Sequence, residues 1–173
     1  MASCSNTDYL GVRNSLIRSI ASENPRYNDL IADNTKPAFG PNDPAYSFII
    51  GGGGTTLASV FALVSLGVQT IFLLNRDESE TAAVIKHYGQ HKIIHLTTLE
   101  QAKEETARVT KAGARLRIGV GAIPAIDPVT EQEKMVYSIA KFLLELADKA
   151  QPNDDFKHRH FLEMCYKVSN SSF

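Results

Sequence analysis

From Pro44 to Asn75 the chain carries no charged residue, and four glycines stand in a row within that span, Gly51-Gly52-Gly53-Gly54, followed by Thr55 and Thr56. This feature constrains the fold most. The span is long enough to cross a bilayer, yet no lipid-exposed helix carries such a break at its centre. A buried strand over 46–50, a glycine turn, a helix over 55–66 that is apolar nearly all round, and a second strand over 68–74 fit it better. Gly67 falls at the helix C-terminus, where a left-handed residue is favoured.

The same rhythm continues. Residues 77–88 read as a helix with acids in its first turn and Gly89 after its end. Residues 92–96 read as a weaker third strand, 98–111 as a charged helix and 116–120 as a fourth strand. The longest helix is expected over 131–150, with Met135, Ile139, Phe142 and Leu146 as its apolar stripe. Lys134, Lys141, Glu145 and Lys149 are expected to face out, and Pro152 to end it. Residues 160–166 supply a fifth strand. Alternating strands and helices predict an α/β fold, a doubly wound parallel sheet of about five strands with flanking helices.

Ahead of this core, residues 1–20 read as an N-terminal helix with Val12, Leu16 and Ile20 on one stripe and N-cap candidates in Asn6-Thr7-Asp8. Residues 21–45 hold four of the seven prolines and many Asn and Asp, and read as a long irregular connection. Residues 46–173 form the α/β domain.

Composition narrows the function classes. The 173 residues are 43% hydrophobic, and a chain of this length buries roughly 70% of its unfolded surface without a staple. Eighteen Lys and Arg against nineteen Asp and Glu leave a net charge of -1. That balance lacks the basic footprint of a direct nucleic-acid binder and of a polybasic membrane anchor. Cys4 and Cys165 lie far apart, as idle thiols in a reducing compartment do. The N-terminus has neither the basic nor the apolar region of a signal peptide, so the expected location is cytoplasmic or nuclear. Of the five histidines, His91 and His95 lie on a strand where an i,i+4 pair does not converge. His158 and His160 share a face with no carboxylate or thiol at ligand spacing, so no metal site is expected.

The glycine run is where chemistry enters. A strand that runs into glycines and opens a helix lets a pyrophosphate approach the backbone at the helix N-terminus. The candidate cofactor-binding residues are Gly51, Gly52, Gly53, Gly54, Thr55 and Thr56, joined by Asn75, Arg76 and Asp77 at the end of the second strand. The strict Gly-x-Gly-x-x-Gly pattern fails at Thr56, and a tight turn without a ligand stands as the other reading. Arg76 has the planar group to stack on adenine or pair with a 2′-phosphate. Asp77 and Glu80 oppose a 2′-phosphate, so the expected cofactor is none or weakly bound NAD, with NADP disfavoured.

Taken in order, Asn6-Thr7-Asp8-Tyr9-Leu10-Gly11, the glycine run, Asn75-Arg76-Asp77 and Leu162-Glu163-Met164-Cys165-Tyr166-Lys167 resemble the shikimate/quinate dehydrogenases. The fungal forms are the most similar: the dehydrogenase domain of the pentafunctional arom polypeptide and the related quinate repressor. Residues 119–125 also look like the fungal loop after the fourth strand. The resemblance implies a Rossmann-like nucleotide-binding domain facing a substrate domain that supplies a lysine. Asp8 would occupy the inherited catalytic position beside that lysine; a helix N-cap is its other reading. The chain matches only the nucleotide-binding half, so a fragment of a longer protein is expected.

The departures from the family pattern lie in one pocket. Leu57 replaces an arginine, Asp77 a Thr or Ser that holds a 2′-phosphate, and Glu80 a basic residue; Val168 replaces a proline elsewhere. The expectation is therefore a non-catalytic domain of a quinate-pathway transcription repressor. Such a domain would sense a quinate- or shikimate-type metabolite through the other half of the cleft and contact a transcription activator protein. The alternative is the NAD(P)-binding domain of an active shikimate or quinate dehydrogenase.

Overall fold

The computed structural model describes residues 6–123, 127–149 and 160–164. Five strands, β1 (Ala45–Ile50), β2 (Thr70–Leu74), β3 (Lys92–His95), β4 (Arg115–Gly121) and β5 (His160–Glu163), pair in parallel in the order β3-β2-β1-β4-β5. Helix α3 (Gly54–Ser65) connects β1 to β2, α4 (Glu78–His87) connects β2 to β3, and α5 (Leu99–Lys111) connects β3 to β4. Helix α6 (Glu131–Lys149) lies between β4 and β5 in the chain. This is the doubly wound sheet that the alternating pattern predicts.

Both faces of the sheet are buried, which is why β1 and β2 read as continuous apolar runs rather than alternating ones. Tyr46, Phe48 and Ile50 of β1 pack with α5 and α6, while Ala45 and Ile49 pack with α3 and with α1 (Asn6–Glu23). A bulge interrupts β4. Tyr46 pairs with Leu116 but Ser47 pairs with Ile118, so Arg117 is the extra residue. Leu116 and Ile118 consequently point to opposite faces of the sheet. The buried Arg117 side chain donates from Nη2 to Asp43 Oδ1 at 2.7 Å.

Three expectations change. Helix α1, described over Asn6–Glu23, runs past residue 20 and has Asp8 within it instead of at its N-cap. The 21–45 stretch is not structureless: a 3-10 turn (Pro25–Tyr27) and the one-turn α2 (Asp29–Ala32) follow, and Tyr27, Leu30 and Phe39 enter the core. Proline at the start of a 3-10 turn is compatible with it, because that N–H would be unpaired anyway. Finally, α6 buries Val136, Ile139, Ala140, Leu143 and Ala147, leaving Met135 exposed and Phe142 and Leu146 half-buried. Small alanines face the sheet there, and a stripe chosen by residue size alone is rotated away from the contact.

Gly67 has the left-handed φ of 84° that its position predicts. A Cβ there would overlap the Phe39 carbonyl, because the Ala38 and Phe39 N–H groups both donate to Leu66 O at 2.9 Å. The glycine thus holds the 37–39 segment against the end of α3.

Candidate functional site

The C-terminal ends of β1, β2 and β4 meet the N-termini of α3, α4 and α6, the crevice where open α/β sheets bind ligands. The four glycines divide into two pairs. Gly51 has a φ of 139°, and a Cβ on it would stand 2.9 Å from Thr56 Oγ1 and 3.2 Å from Ala122. A Cβ on Gly52 would press on Asn75 and on Glu80, whose Oε2 would be 2.5 Å away. Packing therefore accounts for the first pair. Gly53 and Gly54 are different: a Cβ on either meets nothing within 4 Å, and neither has a positive φ. Among the described residues no contact requires glycine at 53 or 54, and the clearance lies over the start of α3.

Thr56, where the strict glycine pattern fails, is fully buried, and its hydroxyl has no hydrogen-bond partner among the described residues. Gly51 supplies the clearance that lets this threonine sit under the turn. Leu57 packs against the hydrophobic core, and its carbonyl accepts from Tyr88 Oη at 3.1 Å.

Asn75, Arg76 and Asp77 follow β2 on the opposite rim. Asn75 Nδ2 donates to Asp77 O at 3.1 Å and to Glu80 Oε2 at 3.2 Å. His95 Nε2 lies 3.0 Å from Asn75 O, so that nitrogen carries the proton. Asp77 caps α4: its Oδ1 accepts from Ser79 N at 2.8 Å and Glu80 N at 3.1 Å. The Ser79 hydroxyl and these backbone N–H groups hold the Asp77 carboxyl below the usual carboxylate range.

Beside this rim opens a cleft of about 490 Å³, walled by Leu74, Ile123, Pro128 and Val136, with Arg76 and Glu133 at its polar edge. Thr130 and Glu133 form a capping box at the start of α6. Glu133 N donates to Thr130 Oγ1 at 3.2 Å, and Glu133 Oε2 accepts from the Val129 and Thr130 N–H groups at 2.9 Å. Its other oxygen, Oε1, is paired with the Arg76 guanidinium. The two backbone N–H groups, reinforced by Arg76, hold the Glu133 carboxyl low as well.

The glycine turn and the Asn75-Arg76-Asp77 segment are thus brought to one edge of the sheet. The side chain of Asp8 lies outside the described residues, as do Cys4, His158, Cys165, Tyr166, Lys167 and Val168. The 119–125 stretch is not all loop: Gly119, Val120 and Gly121 belong to β4, and residues 124–125 lie outside the described set. Sequence reading missed Glu133, which was detectable from Thr130-x-x-Glu133 ahead of an apolar helix. It met His95 only among the histidines and Glu163 only within the 162–167 motif. That the Glu163 carboxylate abuts Gly121 depends on β5 pairing with β4, which are distant in sequence. Among the described residues no three His, Cys, Asp or Glu side chains converge on a point, and no helix is long and apolar enough to cross a membrane.

Strand order, glycine turn and crevice together define a Rossmann-like domain of the nucleotide-binding type. No protein-family model matches the chain. It is 30% identical over 119 residues to the pentafunctional AROM polypeptide of Pneumocystis carinii, a match covering 69% of this chain. It is 26% identical over 168 residues, 95% of the chain, to the AROM polypeptide of Candida glabrata. The chain spans only 6% and 8% of the length of those relatives. A solved structure of dehydroquinate dehydratase and shikimate dehydrogenase from the S. pombe AROM protein shares its fold. That match has a TM-score of 0.53 at 22% identity, over 91% of this chain and 25% of that one. The chain is thus similar in sequence to the fungal AROM polypeptides and shares the fold of that solved structure.

Proposed function

We propose that this domain is a non-catalytic, regulatory module of the quinate-repressor kind, whose nucleotide cleft holds NAD weakly and refuses NADP. The observation that carries the reading is the Glu80 carboxylate lying against Gly52, at the turn that a pyrophosphate would approach. Asp77 and Glu133 add two further carboxylates, each engaged in capping a helix, and Leu57 offers no positive charge. An acidic rim of this kind suits a ribose with two hydroxyls and repels a 2′-phosphate. The backbone N–H groups at the start of α3 would hold the pyrophosphate, and the apolar wall of the 490 Å³ cleft would take the adenine. The further partners in this reading are a quinate- or shikimate-type metabolite and a transcription activator protein, with no direct contact to nucleic acid.

The alternative, the NAD(P)-binding domain of an active shikimate or quinate dehydrogenase, draws on the open space above Gly53 and Gly54. In that case the start of α3 would hold a dinucleotide supplying the hydride acceptor for the substrate's carbinol carbon, and Asp8 would share the hydroxyl proton with a lysine from a substrate domain. Titration of the purified chain with NAD and with NADP by calorimetry separates the regulatory reading from an NADP-dependent enzyme. Weak NAD binding with no NADP binding is expected. NADP binding at micromolar affinity would refute the regulatory reading in favour of the enzyme.

A further inference from the structure

Among the described residues that line the cleft, Arg76 is the cation, and its partner comes from another element, the first turn of α6. The two sides of this pair are held very differently. The Arg76 side chain is 61% exposed, whereas that of Glu133 is 25% exposed. Glu133 is further pinned by the Val129 and Thr130 N–H groups, so it cannot swing away without uncapping α6. Arg76 is therefore the held partner and Glu133 the holder. The adjoining recess brings Arg76 together with Asp77, Glu78, Thr130 and Gln132. A phosphomonoester there would have to draw Arg76 off Glu133 while facing the carboxylates of Asp77 and Glu78. A ribose diol would face no such requirement.

We propose that Glu133 is the specificity-determining residue of this cleft: by occupying the Arg76 guanidinium, it commits the site to adenine nucleotides whose ribose bears free hydroxyls rather than a phosphate. This rests on the nucleotide reading of the site and adds to it a residue on α6, remote from the glycine turn and from the Asn75-Arg76-Asp77 segment. Asp77 and Glu80 alone leave Arg76 available to a 2′-phosphate. Glu133 removes that possibility by charge neutralisation.

The test titrates the full chain with 5′-AMP and with 2′,5′-ADP. In Glu133→Gln the amide oxygen still accepts the Val129 and Thr130 N–H groups, so the capping box is kept while the charge is lost. The ratio of 2′,5′-ADP to 5′-AMP affinity is expected to rise about tenfold in that variant, and the gain to shrink with added salt. Glu131→Gln removes a charge from the same helical turn without touching Arg76, and is expected to leave the ratio alone. An unchanged ratio in Glu133→Gln, with 5′-AMP still bound, overturns the role of Glu133 while the nucleotide reading stands. Failure of both proteins to bind either nucleotide overturns the nucleotide reading and this inference with it. Should Glu133→Gln fail to fold, Glu133→Asp gives a second readout. Its shorter side chain draws the carboxylate away from Arg76, so the affinity ratio is expected to rise in the same direction, and an unchanged ratio with 5′-AMP still bound overturns the proposal.

Discussion

Replacing Gly54 by alanine separates the two reasons a protein has for keeping a glycine. Gly54 is the first residue of α3, has no positive φ, and offers a Cβ open space out to 4 Å. Alanine at such a site removes freedom from the unfolded chain, a gain of about 0.4–1 kcal/mol, with the lower end expected at a helix terminus. For a chain of this size that is a rise in Tm of roughly 1–2 °C. The methyl group would meanwhile stand where a pyrophosphate must come close to the backbone, so NAD affinity should fall about tenfold or more. Urea denaturation with an unchanged m-value measures the first effect and calorimetric titration the second. Greater stability with weaker NAD binding is the expected result. Destabilisation by more than about 0.5 kcal/mol would show that packing, not a ligand, selects this glycine. Parental NAD affinity in Gly54→Ala would show that the clearance over α3 is not used.

Gly67→Ala should behave in the opposite way, because its Cβ would meet the Phe39 carbonyl and φ is 84°. Left-handed strain and overpacking together predict a loss of about 3 kcal/mol in urea denaturation, and a loss under 1 kcal/mol would contradict the geometry. Asp77 and Glu133 both ionise more readily in the folded state than in the unfolded one. Their contribution to stability is present at neutral pH and disappears as pH falls through their folded-state values; Asp77→Asn should flatten that acid limb, and an unaltered limb would refute the capping role. Arg13 is fully buried, with Nη2 donating to Lys36 O at 2.8 Å and, among the described residues, no hydrogen-bond partner for Nε or Nη1. Arg13→Met should accordingly be neutral or stabilising by about 1 kcal/mol in the same denaturation assay, and a loss above 2 kcal/mol would show that the charge is needed.

Much of the architecture was legible because the period of the apolar pattern is a local property. The uncharged span with its glycine break placed β1, α3 and β2 to within a residue or two, and the parallel sheet followed from buried strands separated by helices. What escaped was set by contacts between distant elements. The core-facing side of α6 depends on alanines fitting under the sheet, which hydrophobic size does not reveal. Tyr27, Leu30 and Phe39 hide in a Pro- and Asn-rich stretch because turn residues dominate its composition while single apolar residues anchor it. In the cleft, the Asn75-Arg76-Asp77 rim was readable as a motif. The pairing of Arg76 with Glu133 was not, since it joins residues 57 positions apart.

The rim of the cleft is built from helix caps: Asp77 starts α4 and Glu133 starts α6. Each of these side chains answers to two masters, the stability of a helix and the charge presented to a ligand. Most single substitutions at these two positions would loosen a helix end. The neutral paths are amide-for-acid exchanges at Asp77 and Glu133, which change charge while keeping an acceptor for the backbone. A lineage moving between the two dinucleotides should therefore leave Asn or Gln as its stepping stones at 77 and 133, and charge-reversing substitutions there should be found only together with new caps elsewhere in the same turn.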